Sequence, residues 1–458
     1  MRPTLAVLSL AQFLIALDYS IIYIALPSVA ADLDLEPSLA QWIVSAYAVL
    51  FAGFLVVGGR LTDRVGAKRL FVGAVVFFGV ASAVGGAAGD GTVLLAARGA
   101  QGLGAALLQP AIIGLIGTTF PAGPARSRAL AVWGGVGAAG LAAGAVLGGV
   151  LTTASWRLTF VINVPLTLLC ALGAALAVKA SGTTTADRIP LRAAVLGTGT
   201  VLTLVLGLTL GADQGWHATP TLVSLVLAVA LFGAFLGNER RAPLIEPALR
   251  RIRSLRAGAV ATALYMASVG SEFYLLTLLL QSMKGYDALQ AGLAFVPLAV
   301  LVTAGNAAAG RAVRTQHPAV VLAAGFAAAT AGLLWLSLAL HGDSYAADLL
   351  PGLLLSGFGH GVIYTAMFII GTQDVPAGYQ GTAGALLTTS QYLSAGVTVA
   401  VLTLVLGPAP DGAAFRAAFL VTTVAAAAGL ALAARGVNRR TAQHGVNSSP
   451  TGAVRPTG

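Results

Sequence analysis

Apolar residues fall in runs of about 20 along the whole chain, long enough to cross a bilayer as helix, and short polar or Pro/Gly-rich breaks separate them. Reading from break to break predicts spanning helices near 5–29, 40–59, 69–88, 93–118, 128–152, 158–178 and 191–211. The series continues with 219–237, 257–281, 289–309, 318–340, 347–371, 381–406 and 414–435, fourteen in all. Runs of this length read as membrane-spanning helices. The first run follows Arg2 as in a signal peptide, but it passes Asp18 and reaches Ala30 without a cleavage-site pattern, so it reads as an uncleaved span.

Composition agrees with this pattern. Of 458 residues, 57% are hydrophobic and only 9% charged, far below the roughly 25% of soluble domains. One cysteine, Cys170, sits in an apolar run, which excludes a disulfide framework or a cysteine metal site and suits a core thiol. Arg outnumbers Lys 23 to 3 in an Ala/Gly-rich chain, which hints at a GC-rich bacterial genome.

The net charge of +10 does not mark a nucleic-acid binder, because the cations are scattered over short loops rather than gathered on one face. They instead set orientation, since Lys and Arg are retained on the cytoplasmic side. With the N-terminus inside, cytoplasmic segments hold Arg2, Arg60, Arg64, Lys68, Arg69, Arg126, Arg128, Lys179, Arg188 and Arg192. They also hold six arginines between 240 and 256, then Arg311, Arg314, Arg435, Arg439, Arg440 and Arg455, making 22 of 26 cations. Outer loops collect Asp32, Asp34, Glu36, Asp90, Asp213, Asp343, Asp348 and Asp411. A miscount by one helix would scramble this alternation, so it supports an even number of spans with both termini cytoplasmic.

Two stretches, GGRLTDRVGAKRLFVG (58–73) and AGRAVRTQHPAVVLAAG (309–325), each place Gly-Arg at a cytoplasmic helix end, although Arg314 stands where the first copy has Asp63. This weak duplication predicts an all-α membrane protein of two six-helix bundles, 1–180 and 257–436. Two extra helices fill 181–240, a cytoplasmic linker 241–256, and a disordered cytoplasmic tail 437–458. The linker reads equally as a basic amphipathic stretch on the anionic leaflet or as a solvated connector.

An ionisable group in hydrocarbon costs at least about 2.5–3.5 kcal/mol, so it is a functional candidate by default. Asp18 in the first span and Glu272 in the ninth qualify as proton carriers, against a structural role bonded to neighbours such as Ser20 or Tyr274. Arg98 opens the fourth span and either pairs with an acid or snorkels to the outer interface near Asp90. Gln101, Gln109, Asn163, Tyr265, Gln281, Tyr364 and Gln391 are cavity-lining candidates, although singly such groups more often bond neighbouring helices. Tyr19, Tyr23, Tyr265, Phe273 and Tyr274 suit flat hydrophobic molecules, or lipid-facing packing. Gly137, Gly140, Gly144 and Gly148 form a side-chain-free stripe for close helix approach, either plain packing or a seal of the cavity during alternating access. His360, deep in a span, reads as a packed residue in preference to a proton relay.

Four segments carry a family resemblance. GRLTDRVGAKR (59–69) resembles the signature loop between helices two and three of the major facilitator superfamily, and LDYSIIYIALP (17–27), RGAQGLGAA (98–106) and WRLTFVINVP (156–165) resemble motifs of its 14-span drug:proton antiporters. The resemblance covers nearly the whole chain and implies the major facilitator fold. It further implies that Asp18 is a proton-linked acid and Arg98 the coupling arginine. Asp63, Arg64 and Arg69 would latch the halves together, with Gly59 and Gly66 permitting the tight turn. Asp63 can do this by facing a helix N-terminus of the other half, whose dipole favours a carboxylate. The helix-five glycine motif is present as Gly140, Gly144, Gly148 and Gly149, but Ala145 stands where the family has proline.

The resemblance implies proton-coupled efflux of lipophilic drugs or antibiotics across the bacterial inner membrane, by a monomer using protons, lipid bilayer and small-molecule substrate, with no cofactor beyond the proton gradient and no nucleic acid. Transport of a specific metabolite or natural product is the alternative within the same fold. A non-transporting sensor is the alternative of another class, though no soluble signalling domain is evident. A channel would need more polar spans than these. The chain lacks a GxxxxGK loop or metal-ligand cluster that would suggest an enzyme or an ATP-driven pump.

Overall fold

A computed structural model describes residues 2–179, 190–286, 288–340, 344–407 and 410–447. Arg188, Asp343, Arg455 and the last part of the expected tail, 448–458, lie outside the described residues. Among those described are fourteen helices long and apolar enough to cross a membrane. They are α1 (Pro3–Asp32), α2 (Trp42–Val65), α3 (Ala67–Gly86), α4 (Gly91–Thr119), α5 (Pro124–Ala154), α6 (Leu158–Ala177) and α7 (Leu191–Gly211). There follow α8 (Thr219–Glu239), α9 (Arg253–Met283), α10 (Gln290–Ala312), α11 (Pro318–Ala339), α12 (Tyr345–Thr372), α13 (Ala377–Leu406) and α14 (Gly412–Arg435). The spans are those expected, with ends moved by a few residues. α2 carries the Gly-Arg segment and Asp63 inside the helix, and the terminal helix runs on to Asn447, past the tail boundary expected at 436.

Helices α1–α6 pack as one half and α9–α14 as the other, while α7 and α8 pair with each other and lean, through α7, on α2 and α13. The halves meet along α2–α13 and α4–α13 on one side and along α5–α10 and α5–α12 on the other. Many valines and leucines remain exposed, as on α8 with Val223, Val226, Val229 and Phe232. In hydrocarbon that surface is solvated by lipid and needs no cover. Buried polar groups lie instead at helix–helix contacts.

Successive spans alternate in direction, so the arginine-rich connections gather at one end, here called the basic end, and the acids at the other. The α2–α3 turn at the basic end requires Gly66, whose φ of 97° an L side chain seldom adopts. At the acidic end Asp90 caps α4, accepting from the amides of Thr92 and Val93 at 2.8 and 2.9 Å. Arg157, a cation outside the basic end, pairs there with Asp32 at 2.7 Å and lies over the Trp156 ring.

The linker between α8 and α9 includes a short helix, Pro247–Arg251. Leu244 packs with Ala193 and Ala194 of α7 beside Val56 and Val57 of α2, and Leu249 is also buried. Glu239 binds both the Leu244 amide and Arg250, while the arginines of the segment face outward. This is an amphipathic, docked segment rather than a free connector.

Candidate transport sites in the two halves

Asp18 lies in the middle of α1 and is 1% exposed. A carboxylate has room for several acceptor contacts, and three side chains from two other helices supply them. Arg98 Nη1 donates to Oδ2 at 2.8 Å, while Gln101 Nε2 and Asn163 Nδ2 donate to Oδ1 at 2.9 and 2.7 Å. Arg98 and Gln101 come from α4, one helical turn apart, and Asn163 from α6. Arg98 is itself held on all sides: Nη1 also donates to Gln101 Oε1 at 2.9 Å, Nε donates to the Ile43 carbonyl at 3.2 Å, and the guanidinium lies 4.6 Å from the Tyr47 ring centroid. Gln101 further donates to Ser82 Oγ at 2.8 Å. Helices α1, α2, α3, α4 and α6 thus converge on one fully buried ion pair.

Arg98 therefore pairs inward with the acid instead of snorkelling outward. Ser20 does not bond Asp18; its hydroxyl donates to the carbonyls of Leu17 and Leu141. Tyr47 and Ser82 have no signature in the sequence, since a tyrosine and a serine in separate spans reveal nothing of a shared partner.

Glu272, in α9, is fully buried, and no ion pair reaches it among the described residues. Its Oε1 accepts from Ser356 Oγ of α12 at 2.6 Å, and Oε2 has no partner among the described residues. Tyr274, the expected neighbour, bonds Thr403 at 3.0 Å. α9 is not one continuous α-helix. It is regular over Arg253–Ala267, tightens over Val269–Ser271, resumes over Glu272–Leu278 and widens over Leu279–Met283. There is no proline in the span; Ser268 and Ser271 turn their hydroxyls onto the carbonyls of Leu264 and Met266, a competition that loosens a helix.

At the basic end Asp63 reaches from α2 to α13, whose regular α-helix begins at Gln380 after a tight turn over Ala377–Tyr379. Its oxygens accept the amides of Gly381 and Thr382 at 3.0 and 2.8 Å. These are orphan donors of a helix N-terminus, where the dipole also favours negative charge. The approach needs small residues: a Cβ on Gly59 would come within 2.6 Å of the Ala385 Cβ and 2.9 Å of the Gly381 carbonyl. Arg64 and Arg69 are exposed, with no ion pair to Asp63 among the described residues. The buried arginine of this segment is Arg60, one turn before Asp63 on the same helix.

The glycines of α5 face α1. A Cβ on Gly140 would lie 2.9 Å from the Phe13 carbonyl, one on Gly144 2.6 Å from the Leu17 carbonyl, and one on Gly148 3.1 Å from the Ile21 carbonyl. Gly137 faces Gln12, whereas Gly149 has open space. The stripe thus joins two helices of one half, and α5 runs as a single helix through Ala145. Contact between halves on this side is made elsewhere, where Trp133 of α5 stacks on Tyr364 and meets Phe368 edge-on, at 5.5 and 5.0 Å.

The remaining predicted cavity residues divide. Tyr23 is half exposed and, with Leu26, Pro27, Ala30, Ala40, Val44 and Ser45, lines a largely apolar cleft of about 600 Å³ between the acidic ends of α1 and α2. From it an aromatic series descends through Tyr19, Tyr47 and Phe51 to Tyr392 of α13, with successive centroids 4.8–6.2 Å apart. Tyr265 is buried, bonded to His360 and edge-on to Tyr364. Phe273 stacks on Phe295 at 4.9 Å, Gln109 is buried with Oε1 unpartnered among the described residues, Gln391 is half-buried, and Gln281 is exposed. These residues do not gather in one pocket.

Two helical halves that close around buried charged groups in hydrocarbon define a multi-pass membrane transporter. The family model of the Major Facilitator Superfamily matches residues 8–399, and the chain belongs to that family. It is 36% identical to the cephamycin export protein CmcT of Amycolatopsis lactamdurans, over 88% of this chain and 84% of that one. It is 34% identical to the puromycin resistance protein pur8 of Streptomyces alboniger (88% and 81%) and 33% identical to the tetracenomycin C resistance and export protein of Streptomyces glaucescens (87% and 75%). Among solved structures, the human organic anion transporter MFSD10 superposes with a TM-score of 0.69 at 17% identity, covering 94% of this chain and 99% of that one. The transporter FucP superposes at 0.66 and 18% identity, covering 94% and 97%.

Proposed function

We propose that this chain exports a lipophilic antibiotic in exchange for protons, with Asp18 as the proton carrier. The observation that carries the reading is the Asp18–Arg98 pair with its collar of Gln101 and Asn163. Ionised, Asp18 can accept all three donors. Protonated, it loses much of its hold on the guanidinium; a proton on Oδ2 faces the Arg98 donor and one on Oδ1 faces those of Gln101 and Asn163, so at least one of these contacts breaks and the packing of α1, α4 and α6 changes with it. Proton occupancy is thereby coupled to helix arrangement. The curated relatives named for antibiotic export or resistance supply the substrate class, and the apolar cleft with its aromatic series suits such molecules.

In this reading the basic end is cytoplasmic, both termini are inside, and the protein works as a monomer in the bacterial inner membrane with no cofactor beyond the proton gradient. Asp63 on the α13 N-terminus is the latch that holds the cytoplasmic side shut, with Gly59 and Gly66 allowing the approach and Arg64 and Arg69 acting from the surface. Glu272 is the second acid of the coupling. The test is uptake of puromycin, tetracenomycin C and a panel of lipophilic cations into everted vesicles with an acid interior. Accumulation that a protonophore abolishes is expected for at least one compound. Accumulation that survives the protonophore would rule out proton exchange.

A further inference from the structure

Between α9 and α12 run two polar rungs that the Asp18 network does not use. One is Glu272 with Ser356, bonded at 2.6 Å; the other is Tyr265 with His360. On α9 the two partners are seven residues apart and on α12 four, so both pairs lie on facing strips of the same two helices. Along the helix axes the rungs are about 6 Å apart on α12 and about 10 Å apart on α9, a separation that a proton has to cross through bridging water. The break of α9 at Val269–Ser271 falls between them, and the Val269 backbone faces His360. Beyond His360, Tyr265 touches Tyr364, whose ring stacks on Trp133 where the two halves meet.

The other groups near this line are neutral. Among the described residues of α9–α14, Glu272 is the sole buried Asp, Glu, Lys or Arg side chain, and the further titratable groups along the line are the tyrosines Tyr364 and Tyr392. A buried carboxylate with one hydrogen bond, no ion pair and an oxygen left unpartnered is costly as an anion. As an acid it sheds the charge: Oε1 still accepts from Ser356, and Oε2 becomes an O–H that a bridging water can accept from.

We infer that Glu272 is a second proton-binding site, loaded from the seam between the halves through Tyr265 and His360. The imidazole takes a proton on one nitrogen and gives one up from the other toward the α9 break. Glu272 Oε2 accepts it, turning from carboxylate to acid, and release reverses the steps. The role in transport rests on the proton-coupled reading above; the titration of Glu272 does not. With two protons per cycle, the limiting substrate gradient at zero membrane potential scales as the square of the proton ratio, and Glu272→Gln reduces it to the first power.

Infrared difference spectroscopy of the purified full chain between acid and alkaline pH tests the site without any substrate. Among the carboxylic C=O bands that appear on acidification, one should vanish in Glu272→Gln, persist in Asp18→Asn and shift in Ser356→Ala, which keeps the acid and removes its bond. Tyr265→Phe and His360→Phe should keep the band's amplitude but slow its appearance after a pH jump about tenfold or more. A set of bands unchanged in Glu272→Gln, a Glu272 band constant across the pH range, or an unslowed response in both relay variants would overturn the inference. Failure to export any antibiotic would sink the preceding proposal and leave this band where it is.

Discussion

Arg98 makes contacts that a lysine cannot reproduce. Its planar fork donates to Asp18, Gln101 and the Ile43 carbonyl while its face lies on Tyr47. Removing one member of a buried pair strands the other, at about 3–5 kcal/mol, whereas neutralising both is far cheaper. Arg98→Ala should therefore lower the thermal midpoint of the purified protein sharply, and Asp18→Asn combined with Arg98→Met should recover much of the loss. A double variant no more stable than Arg98→Ala would show that the pair is not what the arginine stabilises. Asp18 and Arg98 were legible in the sequence because charge in hydrocarbon is rare and costly. Tyr47, Ser82 and Ser356 were not, because small neutral residues in distant spans acquire meaning only through the partner they meet.

At the scale of the helix, α5 approaches α1 so closely that glycine is the fitting residue along the seam. Gly144→Ala should cost about 1–3 kcal/mol by overpacking against the Leu17 carbonyl, while Gly149→Ala, with open space around it, should leave the thermal midpoint unchanged. Equal losses would mean that intrinsic helix effects, not the α1 contact, decide both. The sequence disclosed the stripe through its spacing, but not the helix it meets. Hydropathy likewise located α9 without disclosing its break, because no proline marks it and the serines that open it are ordinary in spanning helices.

Across the whole molecule, the two halves are tied at the basic end by Asp63 on the α13 N-terminus and by the contacts of Trp133 with Tyr364 and Phe368. A capping carboxylate at such a site contributes about 0.5–2 kcal/mol, enough to shift a two-state population several-fold. Asp63→Asn should increase thiol-reagent labelling of a cysteine introduced at the α4 or α13 basic end, in membranes without substrate, and Arg64→Ala should increase it less. Equal labelling in wild type and Asp63→Asn would contradict the latch. Fourteen spans and their alternation were legible in one dimension, since length and charge bias follow from the bilayer itself. Which helices form the seam was not, except at Asp63, where the family resemblance implied a carboxylate facing a helix N-terminus of the other half.

The central claim is that antibiotic moves out as protons move in through Asp18. Its most direct test is proton release in everted vesicles, preloaded with acid, on addition of an exported antibiotic. Wild type should release protons in step with antibiotic uptake, and Asp18→Asn should do so no faster than empty vesicles. Antibiotic uptake in wild type with no proton movement, or undiminished release in Asp18→Asn, would contradict the account.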